Sequence, residues 1–446
     1  VTIEEAAGRR FYFTRDPFPM KRRQFLQHSA SLAALGGIEP LLAAGAKPDF
    51  PKGKAEHCIL LWLGGGPAQV DTFDPKPLGD PKAKKAGSAY PAIDTAVQGV
   101  RICEHFPELA KRMDRATVLR TLTHDVIDEH AAAVNFMHTG RPVSGTVVYP
   151  SIGSVVSHEL GAGQDGVPAY ILAGYPSVSR GAGFLGPKHS YLYLIDTEKG
   201  PAGLTRAPGI TNARQARRDT LLAKVRETAR ESRDAADPVI AYDTLIAESH
   251  QLASGDFAKA FDLKSEPAAL RERYGAEFGQ RCLLGRRLLQ QGVRFVEILD
   301  NLNFTNGTGW DTHNEGQVKQ HELIRGLDQA LSSLMDDLEA HGLLDKTLIC
   351  VAGEFGRPSE FDGGGGRGHQ GSVFSVLMVG GGLAHKGAIG VTDEASKVAV
   401  ERPISVPDWH ATIYHALGID YQKDLFDGDR PVPIVDRGTA IRELFV

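Results

Sequence analysis

Six short apolar runs punctuate the chain at regular intervals, and they constrain the fold more than any other feature. They are "HCILLWLGGG" (57–66), "RATVLRTLTH" (115–124), "VPAYILAG" (167–174), "VRFVEIL" (293–299), "TLICVAG" (347–353) and "VFSVLMVGG" (373–381). Each is too short for a buried helix, and most run into glycine, as a strand does where it enters a turn. Between them lie helical patterns: "DEHAAAVNFMHTG" (128–140), ending near Gly140, "QHELIRGLDQALSSLMDDLEAHGLL" (320–344) and "VPDWHATIYHALGI" (406–419). Continuous apolar strands alternating with helices are expected to form an α/β fold, a three-layer α/β/α sandwich with a mostly parallel central sheet. There is no internal repeat and no long low-complexity linker. A single domain over 50–446 is expected, with a mostly helical section at 211–291.

Composition narrows the partners. The 446 residues carry a formal net charge of −5 and no Lys/Arg run, so nucleic acid is not an expected partner. Fifty glycines beside ordinary hydrophobicity indicate many tight turns rather than disorder. Cys58 and Cys350 fall inside apolar runs, and none of the four cysteines has C-x-x-C spacing, which argues against a cysteine zinc site.

The stretch "MKRRQFLQHSASLAALGGIEPLLAAGA" (20–46) has a basic start, an apolar middle and a small-residue end. That order is the layout of an export signal, and Arg22-Arg23 followed by Gln24-Phe25-Leu26 resembles a twin-arginine signal. The alternative is a basic amphipathic helix. The apolar part is too short and glycine-broken to span a membrane, so no stable span is expected once the signal is removed. Residues 1–19 are expected to be an upstream overhang, with Met20 the true start and the mature protein beginning near Lys47. A periplasmic or extracellular location follows.

In open sheets of this kind ligands gather beyond the carboxyl ends of the strands. Carboxylates and imidazoles accumulate there: Asp71, then His124, Asp125, Asp128 and His130, then Asp300, Asp311 and His313, then Glu354 and, after a glycine-loaded loop, His369. In "GWDTHNEG" (309–316), Asp311 and His313 are two residues apart and in extended backbone turn to one side. One Asp with two His is a common donor set for zinc, manganese or iron, and Asp311, His313 and His369 supply it. Glu354, Asp71 and His130 are candidates to hold a second ion or to orient the first set. Each has a plainer alternative. Asp311 and His313 could form a turn, Glu354 could pair with Arg357, and His369 could be a loop residue.

Four motifs in order, "LLWLGGGPAQVDTFDPKP" (60–77), "GWDTHNEG" (309–316), "GEFGRPSEFDGGGGRGHQGSVFSVLMVGGG" (353–382) and "RPISVPDWHATIYHALGID" (402–420), resemble the domain-of-unknown-function 1501 family of twin-arginine-exported proteins. That family is placed in the alkaline-phosphatase-like superfamily with sulfatases and phosphonate hydrolases. The resemblance implies an alkaline-phosphatase-like fold and one or two divalent cations (zinc, manganese or calcium). It implies Asp311, His313 and His369 at one metal, Asp71 and Glu354 at a second, and Arg357 and Arg367 against a small anionic ester or a sulfated or phosphorylated carbohydrate. Three departures stand out. Phe355 follows Glu354 where the superfamily has a histidine, glycines 64–66 replace an acid, and His130 occupies the usual nucleophile position before Thr139-Gly140. His130 and Glu354 are therefore the candidate catalytic acid–base groups. The expected function is a metal-dependent hydrolase of phosphate or sulfate esters. The alternative is a carbohydrate- or protein-binding member on a degenerate hydrolase scaffold. A dehydrogenase is disfavoured, because "GGGPAQVD" lacks G-x-G-x-x-G spacing.

Overall fold

The main sheet of the computed structural model has nine strands: β1 (His57–Trp62), β2 (Ala116–Thr123), β3 (Tyr170–Ala173), β4 (Leu192–Leu194), β5 (Phe295–Leu299), β6 (Thr347–Ala352), β7 (Phe374–Gly380), β8 (Gly387–Ile389) and β9 (Ile404–Ser405). The structure describes residues 48–176, 179–197, 200, 209–230, 256–301, 308–313 and 316–446. The expected signal at 20–46 and the upstream residues 1–19 lie outside that set. Pro48–Val446 form one unit.

The spatial order is β8-β2-β7-β6-β1-β5-β3-β4, with β9 pairing β2. Every pairing is parallel except those of β7, which runs antiparallel to both β2 and β6. This single reversal matters for the site. A parallel successor to β6 would carry the chain back to the opposite rim through a crossover. Antiparallel β7 instead leaves the whole connection 353–373 at the rim where β6 ends.

The apolar runs are continuous because both faces of the sheet are covered. Alternate side chains enter two separate cores. Ile59, Leu61, Val296, Ile298, Ile349 and Val351 pack on one side with helix residues such as Leu284, Leu288, Leu327 and Leu334. Cys58, Leu60, Trp62, Phe295, Leu348 and Cys350 pack on the other with Met137, Val155, Trp409 and Ile413. Besides a single turn at Pro107–Ala110, the helices among the described residues are α1 (His130–Thr139), α2 (Ile152–Leu160), α3 (Asn212–Arg230), α4 (Ala268–Tyr274), α5 (Glu277–Gln290), α6 (Gly316–Ala340) and α7 (Val406–Ala416). Helices α5 and α6 cover the first face, and α1, α2 and α7 the second. The section expected to be helical at 211–291 holds α3, α4 and α5, and 231–255 lie outside the described residues. Among the described residues no helix is long and apolar enough to cross a membrane.

Helix α1 carries a site residue at its first position, so its ends are informative. Glu129 caps it, accepting from the N–H groups of Ala131 (3.0 Å) and Ala132 (2.6 Å). Gly140, in left-handed backbone with φ 68°, ends it. Its second anchor is a buried carboxylate in mid-strand. Glu297 of β5 accepts from His138 Nε2 (2.9 Å), from the Tyr170 hydroxyl (2.5 Å) and from Ser179 Oγ (2.8 Å). Both Glu297 and the His138 side chain are fully buried. A buried charge is tolerable only when paired and hydrogen-bonded in this way.

Candidate metal centre

Four chain segments meet at the carboxyl rim of the sheet: the turn after β1, the start of α1, the segment 308–313 after β5 and the long connection after β6. Glycine makes the first meeting feasible. Gly65 has φ 119°, and a Cβ there would lie 2.2 Å from the backbone nitrogen of Asp311. Segment 308–313 is anchored by Trp310, which is fully buried and donates through Nε1 to Asp300 Oδ2 (2.6 Å). Burial pushes the Asp300 carboxyl above its ordinary pKa, and the Trp310 hydrogen bond pulls the other way.

Asp311 is the hub. Its Oδ1 lies 3.0 Å from His313 Nε2 and 3.2 Å from His369 Nε2, and those two nitrogens are 3.1 Å apart. Its Oδ2 lies 3.6 Å from His130 Nε2. Ligand atoms of His130, Asp311 and His369 all fall within 4.8 Å of one another. The carboxylate and two imidazoles expected to converge therefore do so, and His130 joins them. The Asp311 side chain is 2% exposed while that of His313 is 34% exposed, so the cluster opens to solvent on the His313 side.

Each imidazole has a carboxylate behind it. His130 Nδ1 donates to Glu354 Oε1 (2.7 Å), His369 Nδ1 lies 3.2 Å from Asp128 Oδ1, and His313 Nδ1 lies 3.6 Å from Asp362 Oδ2. Carboxylates accept only, so the first two contacts favour the proton on Nδ1 of His130 and His369, while the His313–Asp362 separation is an ion-pair distance. The Nε2 lone pairs of His313 and His369 then face each other and Asp311. Arg357 donates to Asp311 from the buried side, and the two imidazole lone pairs beside the same carboxylate are the fit expected of a cation site. His130 differs, because it can carry the charge itself. Burial disfavours its imidazolium, but hydrogen bonds and charge from Asp311 and Glu354 outweigh burial and push its pKa up to about 9.

Glu354 is fully buried and joins three elements. Its Oε1 also accepts from the Gly65 N–H (2.8 Å), and its carbonyl accepts from His124 Nε2 (2.6 Å). Its Oε2 accepts no hydrogen bond among the described residues. The Phe355 ring packs 4.8 Å from that of His130 and 4.5 Å from that of His369.

Three expectations are corrected. Arg357 and Arg367 do not face a substrate, because both are completely buried. Arg357 donates to the carbonyls of Gly66 (2.7 Å), Gly65 (2.5 Å) and Arg367 (2.6 Å), and to Asp311 Oδ1. Arg367 donates to the carbonyls of Pro358 (3.1 Å), Ser359 (2.5 Å) and Gly87 (2.8 Å). Glycine-rich loops folded on one another bury carbonyls that helices and strands do not satisfy, and a guanidinium with five donors satisfies several at once. Asp71 is not at the cluster either. It forms a two-pronged pair with Arg367, Nε to Oδ2 at 2.7 Å and Nη2 to Oδ1 at 2.9 Å, and accepts from the Ala89 N–H (2.7 Å). Asp362 was missed by sequence reasoning. Its only signal was an acid at the head of a glycine run.

Solved structures show distant likeness. The lipoteichoic acid synthase LtaP of Listeria monocytogenes is 10% identical over 88% of this chain and 78% of its own, with a TM-score of 0.38. A protein in the alkaline phosphatase superfamily from Vibrio parahaemolyticus is 12% identical over 91% and 77%, also at 0.38. A phosphonate monoester hydrolase from Silicibacter pomeroyi is 11% identical over 87% and 76%, again at 0.38. No curated protein matches the chain. The model of the DUF1501 family, described as a protein of unknown function, matches residues 55–445, and the chain belongs to that family.

Proposed function

We propose that this protein is an exported hydrolase of phosphate or sulfate esters that works with a bound divalent cation. The observation that carries the proposal is the convergence of Asp311, His313, His369 and His130 at the carboxyl rim of the sheet. Asp311, His313 and His369 would hold the ion. A set of two imidazoles and one carboxylate suits zinc or manganese better than calcium, which takes six or more oxygens. When bound, such an ion polarises an ester oxygen and makes water a better nucleophile. The chain supplies the rest. Glu354 fixes His130 through Nδ1, so His130 Nε2 is directed at the centre from the Oδ2 side of Asp311 and can hold or accept a proton there. Phe355 walls the cluster on its protein side. Arg357 and Arg367 take no part in substrate binding and instead lock the loops together.

One observation favours a second reading. Phe355 fills the space beside His130 and His369 with an apolar ring, which suits a cation-dependent binding protein with no turnover. Metal analysis of purified protein, with assays on aryl phosphate and aryl sulfate, separates the two. The hydrolase predicts bound metal, and turnover that disappears with chelation and returns with zinc or manganese. Bound metal without turnover supports the second reading. Protein that stays metal-free after reconstitution and inert contradicts both.

Export is part of the proposal and rests on Arg22-Arg23 and the apolar stretch after them. Replacing both arginines with lysine is expected to retain the protein in the cytoplasm of its host. Undiminished export of that variant would contradict a twin-arginine route.

A further inference from the structure

We infer that Asp128 and Asp362 are positioning residues of the cation centre, each fixing one imidazole from behind so that its Nε2 lone pair points at Asp311. The inference rests on the cation reading above and extends it to residues outside the converging set. His369 Nδ1 lies 3.2 Å from Asp128 Oδ1, and His313 Nδ1 lies 3.6 Å from Asp362 Oδ2. His130 repeats the pattern with Glu354 at 2.7 Å. Three imidazoles from three segments thus turn Nδ1 to a carboxylate and Nε2 to the hub, by hydrogen bonds at His130 and His369 and at ion-pair distance at His313.

The local backbone is committed to this arrangement. Asp128 has φ 62°, the left-handed region that non-glycine residues rarely occupy. Its side chain is 79% exposed, so burial does not hold it there. The conformation turns an otherwise solvated carboxylate onto His369. Asp362 is fixed differently. Its Oδ1 accepts from the N–H groups of Gly364 (2.9 Å) and Gly366 (2.9 Å), and its own N–H donates to the Gly366 carbonyl (2.8 Å). One oxygen closes the glycine turn, which leaves the other directed at His313. The glycines of 363–366 therefore aim a carboxylate as well as lending reach to His369.

A carboxylate on Nδ1 sets the tautomer and raises the basicity of Nε2, and losing such a partner typically weakens metal binding ~10–100-fold. Asparagine is the suitable replacement at both positions. It tolerates left-handed backbone, and at 362 its carbonyl can still accept from the turn. The experiment is zinc affinity by chelator competition on metal-stripped full-length protein, for wild type, Asp128→Asn and Asp362→Asn. It is joined by thermal unfolding of the stripped proteins and by nitrogen spectra of protein labelled at histidine. Each variant is expected to bind zinc about 10-fold or more weakly. Its unfolding midpoint should stay unchanged, and the tautomer signal should change at His369 for Asp128→Asn and at His313 for Asp362→Asn. A merely structural role would shift the midpoint and leave the tautomers alone. Tight wild-type binding with unaltered variants overturns the inference and spares the cation reading. A wild-type protein that binds no zinc or manganese overturns both.

Discussion

Asp311→Asn protein is expected to emerge from purification without metal and to bind zinc ~100–1000-fold more weakly than wild type. Among the described residues Asp311 is the one carboxylate in contact with His313, His369 and His130 together. Opposite unit charges ~4 Å apart at an effective dielectric of ~20 attract by about 4 kcal/mol, roughly a thousandfold in affinity. Arg357 deepens the effect. Its guanidinium donates to Asp311, so neutralising that carboxylate leaves an arginine cation beside three imidazoles with no anion between them. The change should also cost stability, because Arg357 is completely buried and loses the charge of Asp311, although it keeps the carbonyls of Gly65, Gly66 and Arg367, so affinity and stability are read separately. Chelator competition gives the affinity and urea unfolding the stability. Retention of wild-type zinc affinity by Asp311→Asn would show that the cluster is a polar network without a cation.

Arg367→Met is expected to destabilise the protein by ~3–5 kcal/mol, the usual cost of removing one partner from a buried ion pair. Asp71, fully buried, would lose both of its charged hydrogen bonds and keep, among the described residues, the Ala89 N–H. The carbonyls of Pro358 and Gly87 would lose their Arg367 donor at the same time, while that of Ser359 would retain the Gly87 N–H (3.0 Å). The loop 353–373 carries Glu354 and His369, so zinc affinity should fall along with stability. Urea unfolding decides the point. An arginine that greeted a substrate would show the opposite signature, with normal stability and a raised KM.

That contrast also marks where sequence reasoning stopped. The strands were legible because they are covered on both faces, which makes each one a continuous apolar run, as at 57–62 and 347–352. The rim cluster was legible because strand ends carry their polar residues to one edge, and Asp311, His313 and His369 meet there as expected. Strand direction was not legible. Hydrophobic pattern is the same for either polarity, so nothing in "VFSVLMVGG" showed that β7 runs against its neighbours. The arginines misled for a related reason. A guanidinium beside glycines suits either an anionic ligand or buried carbonyls, and only tertiary contacts between residues as distant as Arg367 and Asp71 decide which. Glu297 was hidden inside an apolar run, because the partners that make it tolerable, His138, Tyr170 and Ser179, are 118 to 159 residues away. Asp128 and Asp362 look like ordinary loop acids until their histidines are placed beside them.

The most direct measurement is anomalous diffraction at the zinc edge from crystals of the full-length protein grown with zinc. The account predicts one strong peak enclosed by the Asp311 carboxylate and the Nε2 atoms of His313 and His369, with His130 facing it. A peak elsewhere, or none at that rim while zinc is present in excess, would contradict it.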